Sequence, residues 1–339
     1  MGFLRLSGAQ IGGALNLMGV RIITGGMKGI EATVDANAIR VDGSVNLHEG
    51  FTTDGFVSMN EAKILGDFSL QDSRFLGNGP SGLLMERSSV QGVFWWFRNV
   101  LTKSTVLDLD ETTVATLTDD VSSWPASGKL AIDGFTYGRI DCFNRYKGCA
   151  VDARRRLDWI RLQAYDSFHP QPYRQLAKVL QGRGDNAGAT QVLIAAQDDA
   201  RVNGKLTWPS WISSWILKLT VGYGYEPQRA LYWAAFLVVV GGVLVRLGHQ
   251  AGVMKPVADD RKMAAPLIYS LDVFLPIVDL RLQHNWWPDP AAKGMCSLFG
   301  YQFTFYGSFL RAYLWCHIVA GWVLSTLFLA GLSGFIHQA

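Results

Sequence analysis

Ile39-Arg-Val-Asp-Gly-Ser-Val-Asn-Leu47 decides the fold of the first half of this 339-residue chain, because it recurs. Copies stand at Ala9-Gln-Ile-Gly-Gly-Ala-Leu-Asn-Leu17, Ala62-Lys-Ile-Leu-Gly-Asp-Phe-Ser-Leu70 and Ser88-Ser-Val-Gln-Gly-Val-Phe-Trp-Trp96, with a partial one at Leu130-Ala-Ile-Asp-Gly134. The shared pattern is small-x-Ile/Val-x-Gly-x-apolar-x-apolar. Apolar residues alternating with period two predict strands. A glycine at a fixed place marks a tight bend where a Cβ would clash. Spacings of about 23–30 residues fit a solenoid, whose coils bury little alone and share one apolar column when stacked. The expectation over 1–148 is a β-solenoid, a right-angled parallel β-helix of pentapeptide-like type. The competing fold is a β-sandwich, disfavoured because the spacing returns to one motif rather than to plain hairpin turns. Between about 97 and 130 the motif fades into Thr, Ser and Asp and closes on Trp124-Pro125, which reads as an insertion or an irregular coil.

The period turns helical after Asp152, so 149–206 reads as a helical connector. Leu157, Ile160 and Ala164 share one helix face. A second helix opens at Gln171 with Pro172 in its first turn and carries Leu176, Val179 and Leu180 as a stripe. Gly182-Arg-Gly184 ends it, and Asp185 caps a third helix running to about Ala200. Gly182 to Ala187 spells G-x-G-x-x-A, but a dinucleotide site needs a strand before that run and here a helix precedes it, so it reads as a helix–helix turn.

Residues 207–339 read as a membrane domain. Charged residues make up 17% of the chain and aromatics 12%, with 12 Trp, and the apolar residues gather at the end. About 20 helical residues cross a hydrocarbon core. Spans are expected at 229–248 and 311–336, after an interfacial helix at 208–220 that sets Trp208, Trp211 and Trp215 at headgroup level. Thr220-Val221-Gly222-Tyr223-Gly224 spells a potassium-channel filter. It lies before the first span rather than between two, and Tyr225 follows it, so a Gly-rich turn is the better reading. The segment 265–281 is apolar and too short to cross, so it is re-entrant or interfacial. It carries Asp272 and Asp279, seven apart and costly in apolar surroundings unless they face water or a partner. They are the candidate ion-pathway acids. Gly321 with Ser325, and Ala330 with Gly334, are spaced for close helix packing and for a homo-oligomer formed through the spans.

The net charge of +3 and the absence of a polybasic run point away from nucleic acid. Cys142, Cys149, Cys296 and Cys316 form no CxxC pair and predict neither a disulfide framework nor a metal site. The first residues lack the apolar core of a signal peptide, which places the repeat domain in the cytoplasm and the protein in the cytoplasmic membrane as a multi-pass chain. No cofactor motif is recognisable. The expected partners are membrane lipid, further copies of the chain and a protein on the solenoid surface.

With these pieces in place, the chain resembles a bacterial family of pentapeptide-like repeat proteins with C-terminal membrane helices, often catalogued as "membrane-associated oxidoreductase". The resemblance rests on the Gly-bearing repeats, Gln171-Pro-Tyr-Arg-Gln-Leu-Ala177, Gly222-Tyr-Gly-Tyr-Glu-Pro227, Phe274-Leu-Pro-Ile-Val-Asp-Leu280 and Gly321-Trp-Val-Leu-Ser-Thr326. It implies redox chemistry but supplies no catalytic motif. The membrane half also looks like a two-helix pore-loop channel unit without the filter in place. Three functions follow as expectations: a non-enzymatic scaffold or sensor, an oligomeric channel-like pore with 265–281 as its pore loop, and the oxidoreductase of the family label.

Overall fold

A computed structural model describes residues 2–25, 32–77, 79–142, 148–164, 168–203, 207–256, 265–276, 278, 280–282 and 284–333. The chain divides into two compact units, Met1–Lys205 and Leu206–Ala339.

The first unit is a β-solenoid closed by helices. Leu4, Val34, Val57, Leu83, Leu107 and Leu130 stand one above another in six parallel strands of one face. A second sheet adds two further sides, and the short strands Arg21–Ile22, Thr52–Thr53 and Arg74–Phe75 build another. The inward column Leu15, Val45, Phe68, Phe94, Leu117 and Ile140 runs through the interior. Its neighbour column contains Leu47, Leu70 and Trp96 and then, paired in register with Trp96, Asp119.

The repeat glycines are needed for a different reason from the one the sequence suggests. Gly43, Gly66 and Gly92 do not carry the left-handed corners. They stack. A Cβ on Gly43 would lie 2.8 Å from the Gly13 carbonyl carbon, and one on Gly66 would lie 2.8 Å from that of Gly43. Close approach of successive coils is what excludes a side chain there. The left-handed corners are held by Ala38, Glu61, Arg87 and Glu111, with φ between 54° and 59°. Each of these donates its amide to the next coil, as Glu61 does to the Glu86 carbonyl at 2.8 Å, so the ladder offsets the steric cost. Gly134 is one of these corners, and Gly138 occupies the stacking place, its Cβ position 2.8 Å from the Ala115 carbonyl oxygen.

The stretch at 97–130, expected to be an insertion or an irregular coil, holds a rung of the stack whose pairing shifts register between Val90 and Val93. Thr105–Asp108 and Thr113–Asp119 pair in parallel with the rungs on both sides. Its motif is unreadable because Ala115 stands where the other rungs place glycine.

Three helices close the C-terminal end of the solenoid: α1 (Ala153–Ile160), α2 (Gln171–Gly182) and α3 (Asn186–Asn203). Helix α1 is shorter than its periodicity suggests, since the chain beyond it forms a bridge between Gln163 and Leu130, leaving Ala164 outside the helix. Asp185 accepts the Gly188 amide at 2.8 Å and caps α3. The core is continuous from the solenoid into these helices. The last strand would expose unpaired carbonyls, and α2 covers them. Gln171 donates to the Phe135 carbonyl (3.1 Å), Gln175 to that of Tyr137 (2.6 Å) and Arg183 to that of Ile140 (3.3 Å).

Arg156 of α1 is fully buried. Its guanidinium meets both carboxylate oxygens of buried Asp119, its Nε donates to the Ala150 carbonyl at 2.6 Å, and it lies over the rings of Trp159 and Trp124. The Trp124 indole also donates to Asp119, at 2.8 Å.

Cys142 and Cys149, expected to be separate fillers, are joined in a disulfide with their Cα atoms 5.8 Å apart. The chain leaves the last strand and returns to place Ala150 under Arg156, which brings the two together. Cys296 and Cys316 are free.

The second unit holds α4 (Trp208–Val221), α5 (Gln228–Gln250), α6 (Pro266–Phe274) and α7 (Gly307–Leu332). Helices α5 and α7 are long and apolar enough to cross a membrane, with mean hydropathy 2.0 and 1.6. Only 33% and 28% of those windows is buried within the chain, whereas a soluble core helix would be mostly covered. An antiparallel hairpin, Lys293–Leu298 with Tyr301–Tyr306, leads directly into α7.

Two outcomes follow for the first unit. Arg156→Ala strands a buried carboxylate and is expected to cost about 3–5 kcal/mol, while the paired change Arg156→Met with Asp119→Leu costs much less; thermal unfolding of the full chain in detergent measures both. Asp110, whose side chain accepts the Asp133 amide, has its pKa raised from 3.8 to about 6 by burial and by neighbouring Asp108. A carboxyl whose folded pKa lies above its unfolded one binds more protons when folded, so its contribution falls as pH rises between those values. Asn occupies the matching place in earlier rungs, where Asn60 accepts the Glu86 amide at 2.9 Å. Asp110→Asn is therefore expected to stabilise the unit near neutral pH and to remove that slope, as read from melting temperatures across pH.

Candidate functional site

The segment between α5 and α7 concentrates the buried polar groups of the second unit. Helix α6 has 9 residues and so rises about 14 Å, roughly half the thickness of a hydrocarbon core. It starts beside the C-terminal half of α5, where a Cβ on Gly242 would lie 3.0 Å from the Leu267 Cα. It ends against the middle of α7, where a Cβ on Gly321 would lie 1.9 Å from the Phe274 carbonyl oxygen. The chain then leaves the helix in extended conformation at Leu275. Its return is tied to α6 by Asp272, which is buried and accepts the amides of Leu280 at 2.6 Å and Leu282 at 2.9 Å. The result is a helix and a following segment strapped together by a carboxylate.

A second polar group joins α5, α6 and α7. His317 and Ser270 are buried. The Ser270 hydroxyl is 3.2 Å from His317 Nε2, the Tyr313 hydroxyl is 3.3 Å from Nδ1, and Tyr313 donates onward to the Leu237 carbonyl at 3.4 Å. Nε2 also lies 3.2 Å from the Ser270 backbone carbonyl, which can only accept, so this contact is made with the ring proton on Nε2. The imidazole lies between the rings of Phe274 and Tyr313, with centroids 5.1 and 5.3 Å away. Gly241 makes room for it, since a Cβ there would lie 2.2 Å from the Ser270 oxygen. His317 stands within an otherwise apolar stretch of the sequence. Tyr313 is one helical turn before it on α7, whereas Ser270 comes from α6 and no spacing in the sequence joins it to the pair.

The other expected residues fall as follows. Thr220 to Gly224 form the end of α4 and a left-handed turn, with φ of 55° at Gly222, 59° at Tyr223 and 89° at Gly224. This backbone offers no row of parallel carbonyls. Val221 is buried with Ala230, Phe274 and Leu324. Gly321 packs on the end of α6 within the same chain, and Ser325 and Ala330 are half-buried on α7. Asp279 and Gly334 lie outside the described residues. His249, at the far end of α5, stacks on Trp286 at 5.4 Å. In the first unit, Gly182 to Ala187 form the turn between α2 and α3, with Gly184 left-handed. At the opposite end of α2 and α3 a groove is lined by Arg161, Tyr173 and Asp199, where Asp199 takes up both the guanidinium and the phenol. Among the described residues, no three His, Cys, Asp or Glu side chains stand together as a metal-binding group.

Removing the Asp272 carboxylate should free the return. Asp272→Ala is expected to accelerate amide hydrogen exchange at Leu280 and Leu282 well beyond its effect on α5, and Asp272→Asn, which keeps acceptor oxygen, to do so less. Gly321→Leu should displace α6 and cost about 1–3 kcal/mol or more by overpacking, read as a lower melting temperature. Comparison of the chain with protein-family models, with curated proteins and with solved structures finds no match.

Proposed function

We propose that this chain is a subunit of an oligomeric membrane protein, in which the two long helices and the re-entrant segment between them line an ion pathway and the solenoid serves as scaffold or sensor. The coarser statement stands on the fold alone: a β-solenoid domain with two helices able to cross a membrane fits a membrane protein carrying a scaffold domain. The observation supporting the pore reading is the order of elements. A long apolar helix, a helix of about half membrane depth, a following segment whose amides are strapped by Asp272 and a second long apolar helix follow one another. Irregular backbone at such depth is tolerated where it is covered by protein or lines a water-filled cavity. Two helices per chain enclose nothing, so the reading requires several copies around the return.

On this reading Asp272 positions the segment, and Asp279 is the candidate acid of the pathway. We take the solenoid to be of the right-angled, pentapeptide-like type, a reading supported by the recurring motif and by the stacking of short parallel strands. On this reading the membrane is a bacterial cytoplasmic one and the solenoid lies in the cytoplasm. The Cys142–Cys149 bridge pulls the other way, because lasting disulfides belong to oxidising compartments. A membrane-impermeant thiol reagent, applied to cells before and after lysis with a reductant, decides the side.

The scaffold-only reading is favoured by the engagement of Asp272 with backbone rather than with an open face. The oxidoreductase reading rests on the family resemblance and is tested by an absorbance spectrum of the purified protein. Purified chain in liposomes is expected to carry a cation flux that Asp272→Ala abolishes and Asp279→Asn reduces. A sealed membrane under the same conditions would leave the scaffold reading.

A further inference from the structure

The hairpin Lys293–Leu298/Tyr301–Tyr306 is two-faced. Register pairs Leu298 with Tyr301, Cys296 with Phe303 and Gly294 with Phe305 on one face. The other face carries Ser297 with Gln302, Met295 with Thr304 and Lys293 with Tyr306. The first face is apolar throughout, and the second is mostly polar. At the base of the hairpin the apolar face is covered. Cys296 and Phe305 belong to the buried cluster with Val245, Leu310 and Leu314 at the adjoining ends of α5 and α7. Towards the tip the same face runs out of cover: Phe299 is 93% exposed, Tyr301 80% and Phe303 37%.

The base is fixed tightly to the helices. A Cβ on Gly294 would lie 1.9 Å from the Ala251 carbonyl oxygen, and one on Gly307 1.9 Å from that of Asp289. Strand alternation carries the apolar face from base to tip, and at the base that face packs on Val245 of α5 and on Leu310 and Leu314 of α7.

We propose that this hairpin lies on the membrane surface at the level where α7 enters, with its apolar face and Phe299 in the headgroup–acyl boundary and its polar face in water. The inference rests on the reading of α5 and α7 as membrane-crossing helices. Position argues for lipid, since Tyr306 passes straight into α7 with no linker. Charge argues the same way: residues 290–311 contain no Asp or Glu, and Arg311 lies over the rings of Trp287 and Trp315, both exposed, as in an interfacial belt. Depth is limited by the backbone. A two-stranded hairpin leaves outer-edge N–H and C=O groups unpaired, and these need headgroup water, so the tip cannot enter the hydrocarbon core.

The test uses the full chain with Cys296→Ala and Cys316→Ser, the disulfide retained, carrying single nitroxide labels at Tyr301→Cys, Gln302→Cys or, as control, Val319→Cys on the exposed side of α7. Each is reconstituted in vesicles of phosphatidylcholine and phosphatidylglycerol, and collision with oxygen is compared with collision with a water-soluble nickel chelate. The expected result is an oxygen preference at 301, a nickel preference at 302 and a stronger oxygen preference at 319. Nickel preference at both 301 and 302 would place the hairpin in water and overturn the proposal. Protection of 301 from both reagents would mean cover by protein, such as a second copy, and overturn it equally. A label at 319 without oxygen preference would instead remove the membrane-crossing reading itself.

Discussion

A backbone N–H or C=O that loses contact with water must find another partner, and much of this chain is arranged around that requirement. Each coil of the solenoid lends its amides to the next, down to the left-handed corners at Glu61, Arg87 and Glu111. The ladder must end somewhere, and there the donors become side chains: Gln171 and Gln175 of α2 and Arg183 at its end reach the carbonyls of Phe135, Tyr137 and Ile140 in the last strand region. In the second unit the orphans are amides, and one carboxylate, Asp272, takes two of them. The helices of the first unit are thus less a connector than the lid of the solenoid, sharing its core and completing its hydrogen bonds.

Close approach of backbone to backbone is the second theme. Gly43 and Gly66 let coils stack, while Gly241, Gly242 and Gly321 let α5 and α7 close on α6. In each case the neighbour is a main chain or a short polar group with nowhere to go, so a single Cβ is enough to move an element. These glycines give the second unit its specific packing where its apolar side chains, facing outward in large part, do not.

The repeat was legible because every coil contributes the same alternation, and the helices were legible from period and caps. What escaped had no local mark. Ala115 in place of glycine concealed a whole rung, and the purpose of the repeat glycines, close stacking rather than corner geometry, depends on the coil above. Arg156 sits in a run of three arginines that reads as a solvated helix face, and only the fold shows that the third is buried. Cys142 and Cys149 meet through the path of the chain. In the candidate site, Asp272 was conspicuous as an acid among apolar residues, but its partners are amides, which carry no residue identity. The Ser270–His317–Tyr313 group was hidden for a related reason: Ser270 comes from another helix, and Tyr313 and His317, one turn apart on α7, are common residues taken singly.

The placement of Asp119 in register with Trp96 has a consequence for growth. A stack of coils offers its end as a template, and an open end invites another copy to continue the stack without limit. Here one interior column changes from hydrocarbon to carboxylate at Asp119, one rung before the last strand. The Arg156 guanidinium and the Trp124 indole meet that charge, and Gln171, Gln175 and Arg183 take up carbonyls of the last rung. The end of the stack is thus occupied by side chains of the same chain, and serving as a template for another copy would first require these helices to leave.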